Sequence, residues 1–541
     1  MHAGKGGQDH LGLGSVSSDQ ILPRLSPGIN VLTYHPRYYS FYAFLLDEFW
    51  RRDRVCSQTV WKEFFRPREF IFSVGVCLCD RPEHEEGIAA VGSQKTKPLA
   101  RQNLPVYDTR TFYIKNELGG YGLYYRSVIA ELGLIFPGGP GFLHPIDIPT
   151  EQGKQAAELF RQAVQHTKYY QHYFDHDITE IPIDIIKEYI RHACLCQLQI
   201  PTAPDHAFLL NIFLHGGDEN LALVRRETFR LLLDIAVQTQ KQSVNEDTFR
   251  QLLYFQAAEN GTTYHPQPSV EPAYRRWRLY QAREYYAFAL NTLWKYLCTW
   301  GITQGGDIHP LSLGEFWQHL HEALNFKALA TLMQLPEPDL GADNSFADLL
   351  QWVQTIVESD QASFDAVCTL DAPVQEQKLY SLAAEKLAEP HTMVAGMILL
   401  LSLIYLRFGL PEQWRDPAWE ISRLGQDGRL SLANFILTIR QRLERRSTTI
   451  GEVTQWLYND YIILQHQLVA TSKLPENTFR FQREGNRLRF YRLETPLNFM
   501  DSRFTALSTS IHELGLCGDL AQPVHHLTAE GQQLLAEGDV L

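Results

Sequence analysis

Two close cysteine pairs, Cys77-Leu-Cys79 and Cys194-Leu-Cys196, the second two residues after His192, are the most obvious candidates for chemistry in this chain. Four thiolates can close a tetrahedral zinc site. The spacing argues the other way, because zinc pairs usually separate their ligands by two or more residues and Cys77-Leu-Cys79 ends an apolar run. Buried small side chains are therefore expected at both pairs, and no metal site. His319-Leu-His321 puts its imidazoles on different faces of a helix, which disfavours chelation. Glu180, Asp184 and Lys187, or the acids around Asp339, have residue types suited to a nuclease but no strand that would aim carboxylates at one ion. The chain has no phosphate-cradling glycine loop, no nucleophile elbow and no His-Glu-x-x-His. Gly138-Gly139-Pro140-Gly141 lacks the lysine and hydroxyl of a nucleotide loop and reads as a turn. No catalytic residue and no cofactor are expected, although an enzyme with an unfamiliar active site stays open as an alternative.

Arginines offer a different chemistry. Thr478–Arg483 and Asn486–Arg492, joined by Glu484-Gly485, alternate with period two, the signature of a β-ribbon. With Phe479, Phe481, Leu488 and Phe490 inward, Arg480, Gln482, Arg487, Arg489 and Tyr491 share the outer face. Arg440, Arg442, Arg445 and Arg446 precede them on a helix. Residues 401–510 carry fifteen Lys and Arg against eleven Asp and Glu, a local excess inside a chain of net charge −13. These seven arginines are the expected contacts to double-stranded DNA, bound through phosphates without sequence preference and with a steep salt dependence. A solvated face bridged to acids such as Glu444 and Glu452 is the alternative. Two arginine-rich aromatic segments, Arg37-Tyr38-Tyr39-Ser40-Phe41 and Tyr274–Phe288, could stack bases, but their helical spacing favours core packing.

The elements that must position these groups are mostly helices. With 541 residues, 45% hydrophobic and 12% aromatic, the chain can bury several cores. Helical periodicity is expected over Arg37–Arg54 and near 154–172, 182–198, 206–214, 219–240, 245–257, 271–300 and 312–324, with a second helical block over 345–472. The segment 80–105 reads as a loop. Met397–Tyr405 is too short to span a bilayer and reads as a buried helix. No apolar signal core opens the chain, so a cytoplasmic protein without membrane contact is expected. The expected divisions are a flexible tail at 1–28, an N-terminal domain at 29–158, helical domains at 159–334 and 345–475, and a C-terminal domain at 476–541.

One pattern occurs twice. Glu131-Leu-Gly-Leu134 leads to Thr150-Glu-Gln-Gly153, and Glu513-Leu-Gly-Leu516 leads to Thr528-Ala-Glu-Gly531. Each copy reads as helix end, strand, hairpin, strand and new helix, with glycine ending one helix and threonine capping the next. The C-terminal copy resembles the winged-helix transcription regulators over some 35 residues, and residues 110–158 do so more loosely. The fold class expected is thus mainly α with small β-hairpins, a helical body flanked by winged-helix-like modules. The resemblance implies binding to DNA or protein. The candidate groove helices, Gly120–Leu132 and Ser502–Leu514, are poor in charge, which shifts the expected DNA contact to the arginine ribbon. The function expected is a non-catalytic DNA-binding or partner-docking subunit of a bacterial multi-protein system, such as phage defence or a mobile element, whose partner ATPase or nuclease supplies the chemistry. A kleisin-like scaffold bridging an ATPase is the rival.

Overall fold

The computed structural model describes residues 9–540, except 53–54, 83, 85–87, 89, 358–369, 388, 444–446 and 492–496. It is 60% helix and 5% strand. The chain forms two compact units: one holds the residues up to Leu22 with Asp247–Asp501, the other Pro23–Glu246 with Ser502–Leu541. These units cut across the five expected segments. The arginine ribbon falls in the first unit, and both copies of the repeated pattern fall in the second.

The second unit is built on the helix Arg37–Trp50, in which every side chain from Arg37 to Phe49 is buried. Burial on all sides marks a core helix. Tyr38, Tyr42 and Tyr125 pack with ring centroids about 5 Å apart, and Tyr121 joins them against Tyr42. Beside them Glu69 of the helix Gln58–Leu78 is fully buried and accepts hydrogen bonds from the Tyr42 and Tyr113 hydroxyls and from the Gly120 and Tyr121 backbone N–H groups. Burial raises its pKa above the ordinary carboxylate value, and these hydrogen bonds pull it back. The segment expected to be a loop at 80–105 contains the helix Ser93–Arg101, entered through Gly92 at φ 76°. The 154–172 helix is two, Glu151–Val164 and Lys168–His172, because Thr167 caps the second by accepting from the Tyr170 N–H.

The first unit is organised around the helix Glu271–Thr303, whose Trp277, Tyr280, Tyr285, Tyr286 and Phe288 are all buried. These rings form core, as their spacing requires. The residues expected as a flexible tail are packed from His10 onward: Leu11, Leu13, Val16 and Ile21 are at most 1% exposed. They bond the helix Glu271–Thr303: Ser17 Oγ donates to Glu284 at 2.6 Å, the Leu13 carbonyl accepts from Arg283 Nη2 at 2.7 Å and the His10 ring stacks on Trp294 at 4.5 Å, while Gly12 and Gly14 lie against Val469 and Met500. The helix Pro390–Phe408 is longer than the apolar run Met397–Tyr405 suggested. One 18-residue window of it, His391–Phe408, is apolar enough to cross a membrane, yet 78% of that window is buried inside the protein.

The ribbon strands Phe481–Glu484 and Arg487–Phe490 pair antiparallel, Phe481 opposite Phe490 and Glu484 opposite Arg487, around a turn at Gly485-Asn486 with Gly485 at φ 64°. A third strand, Leu311–Ser312, pairs with Arg487 and Leu488 and covers one edge.

Candidate functional site

The repeated pattern folds into two connectors that match atom for atom. Gly133 and Gly515 take φ 77° and 71°, the left-handed geometry that ends a helix without a Cβ penalty. The Leu134 N–H then returns to the Ile129 carbonyl at 3.1 Å, and the Leu516 N–H to that of Ile511 at 2.9 Å. Thr150 Oγ1 donates to the Gly133 carbonyl and Thr528 Oγ1 to that of Gly515, both at 2.7 Å. The same hydroxyls accept from Gly153 N–H and Gly531 N–H, both at 3.1 Å, capping the helices Glu151–Val164 and Ala529–Glu537. A Cβ on Gly153 would lie 2.0 Å from the Leu134 carbonyl oxygen, and one on Gly531 would lie 1.9 Å from that of Leu516. The acids that open the two copies have also kept parallel roles: Glu131 accepts from the Gly28 N–H, and Glu513 bonds His35 Nδ1, each at 2.7 Å. One stretch of chain, 28–35, therefore touches both copies.

The copies differ in what lies between the strands. In the first, Ile135–Phe136 pairs with Ile148–Pro149 around a loop closed by Gly139 N–H to the His144 carbonyl at 2.7 Å. Asp147 anchors its base, accepting from Arg126 Nη2 at 2.7 Å and from the Gly138 N–H at 2.6 Å. From this held base the hairpin exposes Phe136 by 64%, Phe142 by 57% and Leu143 by 92%. In the second copy a single bridge, Cys517 to Leu527, stands in for the strands, and Val524 is the exposed apolar residue of its loop.

Neither candidate groove helix presents a basic face. Tyr121 and Tyr125 are buried, and Arg126 is held by Asp147. Arg503 points inward and donates to the Ile29 carbonyl at 2.6 Å.

Of the seven expected DNA-contacting arginines, the five described do not all face solvent. Arg480 is 2% exposed and donates to the Phe479 carbonyl at 3.1 Å, so it does not share an outer face with its neighbours. The period-two pattern misplaces it because it precedes the first paired residue, Phe481. Arg489 pairs with Glu484 at 3.0 Å, and Arg487 is exposed. The exposed Arg483 donates to the Gly485 carbonyl at the same turn. Arg440 and Arg442 lie over the rings of Trp414 and Trp456, an arrangement that holds the guanidinium by its π-face. Arg445 and Arg446 lie outside the described residues.

A third arrangement lies in the second unit, where Cys194 and Cys196 are buried as expected and Cys77 and Cys79 are half-buried. The helices Gln58–Leu78 and Ile183–Ala193 approach closely at Gly75, where a Cβ would sit 3.0 Å from Ile190 Cδ1. Each ends in a cysteine, Cys79 and Cys194, and each cysteine leaves its helix in the same extended conformation (φ −64°, ψ 126° and φ −56°, ψ 149°). The two helix ends thus deliver Cys79, Cys194 and Cys196 to one point, and the chain after Cys79 brings in His84. The ligand atoms of these four residues lie within 4.8 Å of one another, with Cys79 Sγ to Cys196 Sγ at 3.9 Å and Cys194 Sγ to His84 Nδ1 at 3.3 Å. Hydrogen bonds from the Cys194 and Cys196 thiols hold Cys79 well below the ordinary thiol value, helped by the Arg81 backbone N–H, whereas burial pushes Cys194 up. Cys77 is not a member, since its sulfur faces Thr96 Oγ1 at 3.7 Å. His84 follows Cys79 by five residues, a Cys-x4-His spacing legible in the sequence, and only tertiary structure brings both beside Cys194, 110 residues beyond His84.

Comparison with protein-family models, with curated proteins and with solved structures gives no match.

Proposed function

We propose that this chain is a binding subunit, that its two repeated connectors are winged-helix-like docking modules, and that the first wing is the contact for a protein partner. One observation carries this reading: Phe136, Phe142 and Leu143 stand in solvent on a hairpin whose base is fixed by Asp147, Arg126 and Gly138. A held loop with an apolar tip loses little conformational freedom when it inserts into a complementary pocket. Each of the three side chains, fully covered by a partner, contributes about 1.5–3 kcal/mol. Duplex DNA is the second ligand in this reading, narrowed to Arg483 and Arg487 at the ribbon's exposed turn.

The test places a photo-crosslinking residue at position 143 in the cell of origin, beside the double variant Phe142→Ser/Leu143→Ser. We expect a crosslinked partner that co-purifies with the wild type and is lost from the variant, with thermal stability unchanged. Crosslinks confined to the chain itself, or a complex indifferent to the double substitution, would overturn the proposal. For DNA, Arg483→Ala/Arg487→Ala should lower the salt slope of duplex binding by about two, and an unchanged slope refutes that contact.

A further inference from the structure

We propose that Cys79, His84, Cys194 and Cys196 form a closed, four-coordinate structural Zn2+ site. The distances fit a single ion. Sulfurs about 2.3 Å from a tetrahedral zinc stand about 3.8 Å apart, and a sulfur and an imidazole nitrogen about 3.6 Å apart. The cluster shows 3.9 Å and 3.3 Å for those two kinds of pair, and no pair exceeds 4.8 Å. A two-iron cluster would hold its ligands in pairs on separate metals and spread them further than this. A disulfide is also a poor account of the geometry, because it would use two sulfurs and leave the third thiol and the imidazole converging on nothing.

The surroundings favour a cation that binds three thiolates. Two helix C-termini, the negative ends of their dipoles, meet at the site. A Zn2+ with three thiolates and one neutral imidazole carries a net charge of −1. Arg37, buried and ion-paired with Asp205 at 3.2 Å, also donates to the Cys194 carbonyl at 2.5 Å and so ties the site to the core helix Arg37–Trp50. Four protein ligands leave no position for water or substrate, so the site is structural. It would fasten the chain following Gln58–Leu78 to the end of Ile183–Ala193, two parts of the unit separated by more than 100 residues.

Metal analysis of the full-length protein should give one zinc per chain, and a Co2+-substituted sample should show the intense visible bands of tetrahedral thiolate coordination. Cys194→Ser and His84→Ala should lose the metal, while Cys77→Ser keeps it. If Cys194→Ser does not fold, titrating wild type to completion with a thiol-modifying mercurial should release one zinc per chain, and none should be released from a sample first stripped with chelator. Iron in place of zinc, metal content equal in wild type and His84→Ala, or an octahedral Co2+ spectrum would each overturn the proposal.

Discussion

His466 makes the stability of the Asp247–Asp501 unit depend on acid in a way that can be worked out from its contacts. Its Nε2 accepts the Arg480 backbone N–H at 2.9 Å, so the proton must sit on Nδ1, which faces the His10 carbonyl at 3.1 Å. Protonating Nε2 would destroy that acceptor and place a buried cation beside Arg480 and Lys473. Burial is the main reason its pKa falls from 6.5 to about 4; the hydrogen bond with the His10 carbonyl opposes the fall, and Arg480 and Lys473 add to it. The folded pKa is depressed, so the unfolded chain binds the proton more readily. The contribution of neutral His466 is therefore fully present above about pH 6.5 and is lost as pH falls towards 4. A difference of about 2.5 pH units, at about 1.4 kcal/mol each, is about 3 kcal/mol in all, of which about 2 kcal/mol disappears between pH 7 and pH 5. His10, lowered to about 3 chiefly by burial, adds to the same slope. Urea unfolding followed by tryptophan fluorescence should show wild type losing stability over this range. His466→Gln, which keeps an acceptor for the Arg480 N–H but cannot titrate, should lose about 2 kcal/mol less between pH 7 and pH 5. If wild type and His466→Gln fall in parallel, the assignment of the acid sensitivity to this imidazole is wrong.

The twin connectors should respond to substitution as twins. Thr150→Ala and Thr528→Ala should each cost about 1 kcal/mol, measured by chemical denaturation, because each removes one N-cap. Gly153→Ala and Gly531→Ala should each cost several times more, since the new Cβ meets a carbonyl oxygen at 2.0 or 1.9 Å. A mild effect at either glycine would mean that the connector can open. Glu69→Ala should cost about 3–5 kcal/mol by leaving two tyrosine hydroxyls and two backbone N–H groups without their acceptor, with Glu69→Gln milder in the same melt. Arg480→Ala should lower the stability of its unit by about 2–3 kcal/mol through lost packing and leave the salt slope of any DNA binding unchanged. A reduced slope would return Arg480 to the binding surface.

Much of the helical architecture is legible in the sequence because its signals are local. Apolar spacing marks Glu219–Gln238 and Glu271–Thr303 to within a few residues, and Thr150 and Thr528 announce the helices they cap. What escapes a sequence reading depends on distant partners. The strand Leu311–Ser312 is two residues long and exists only because Arg487 and Leu488 lie beside it. The segment 10–22 looks mobile by composition, yet Leu11, Leu13, Val16 and Ile21 are buried and the Leu13 carbonyl is held by Arg283 of the helix Glu271–Thr303. Arg480 has the residue type of a phosphate contact and the position of an edge residue just outside the ladder, and burial decides its role. The cysteine pairs show the same limit most sharply. Judged pair by pair, Cys77-Leu-Cys79 and Cys194-Leu-Cys196 are poor zinc motifs; the structure takes one cysteine from the first pair, both from the second and a histidine from the chain between them.

The duplicated connector points to where function can differ between its copies. Its threonines are occupied in both by the same backbone contacts, and the left-handed φ of Gly133 and Gly515 and the tight clearances at Gly153 and Gly531 leave these glycines no freedom to vary without loss of the turn. Residues so committed to folding cannot also distinguish one ligand from another. The loops between the strands carry no such constraint, and there the copies diverge: the first carries Phe136, Phe142 and Leu143 outward on an anchored hairpin, the second a shorter loop with Val524. If the copies bind, selectivity must reside in these loops. Transplanting 136–147 in place of 518–526, together with Ser508→Arg to give Asp147 its arginine, should then move partner binding to the second copy, whereas exchanging the two Thr-x-x-Gly segments should change nothing but stability.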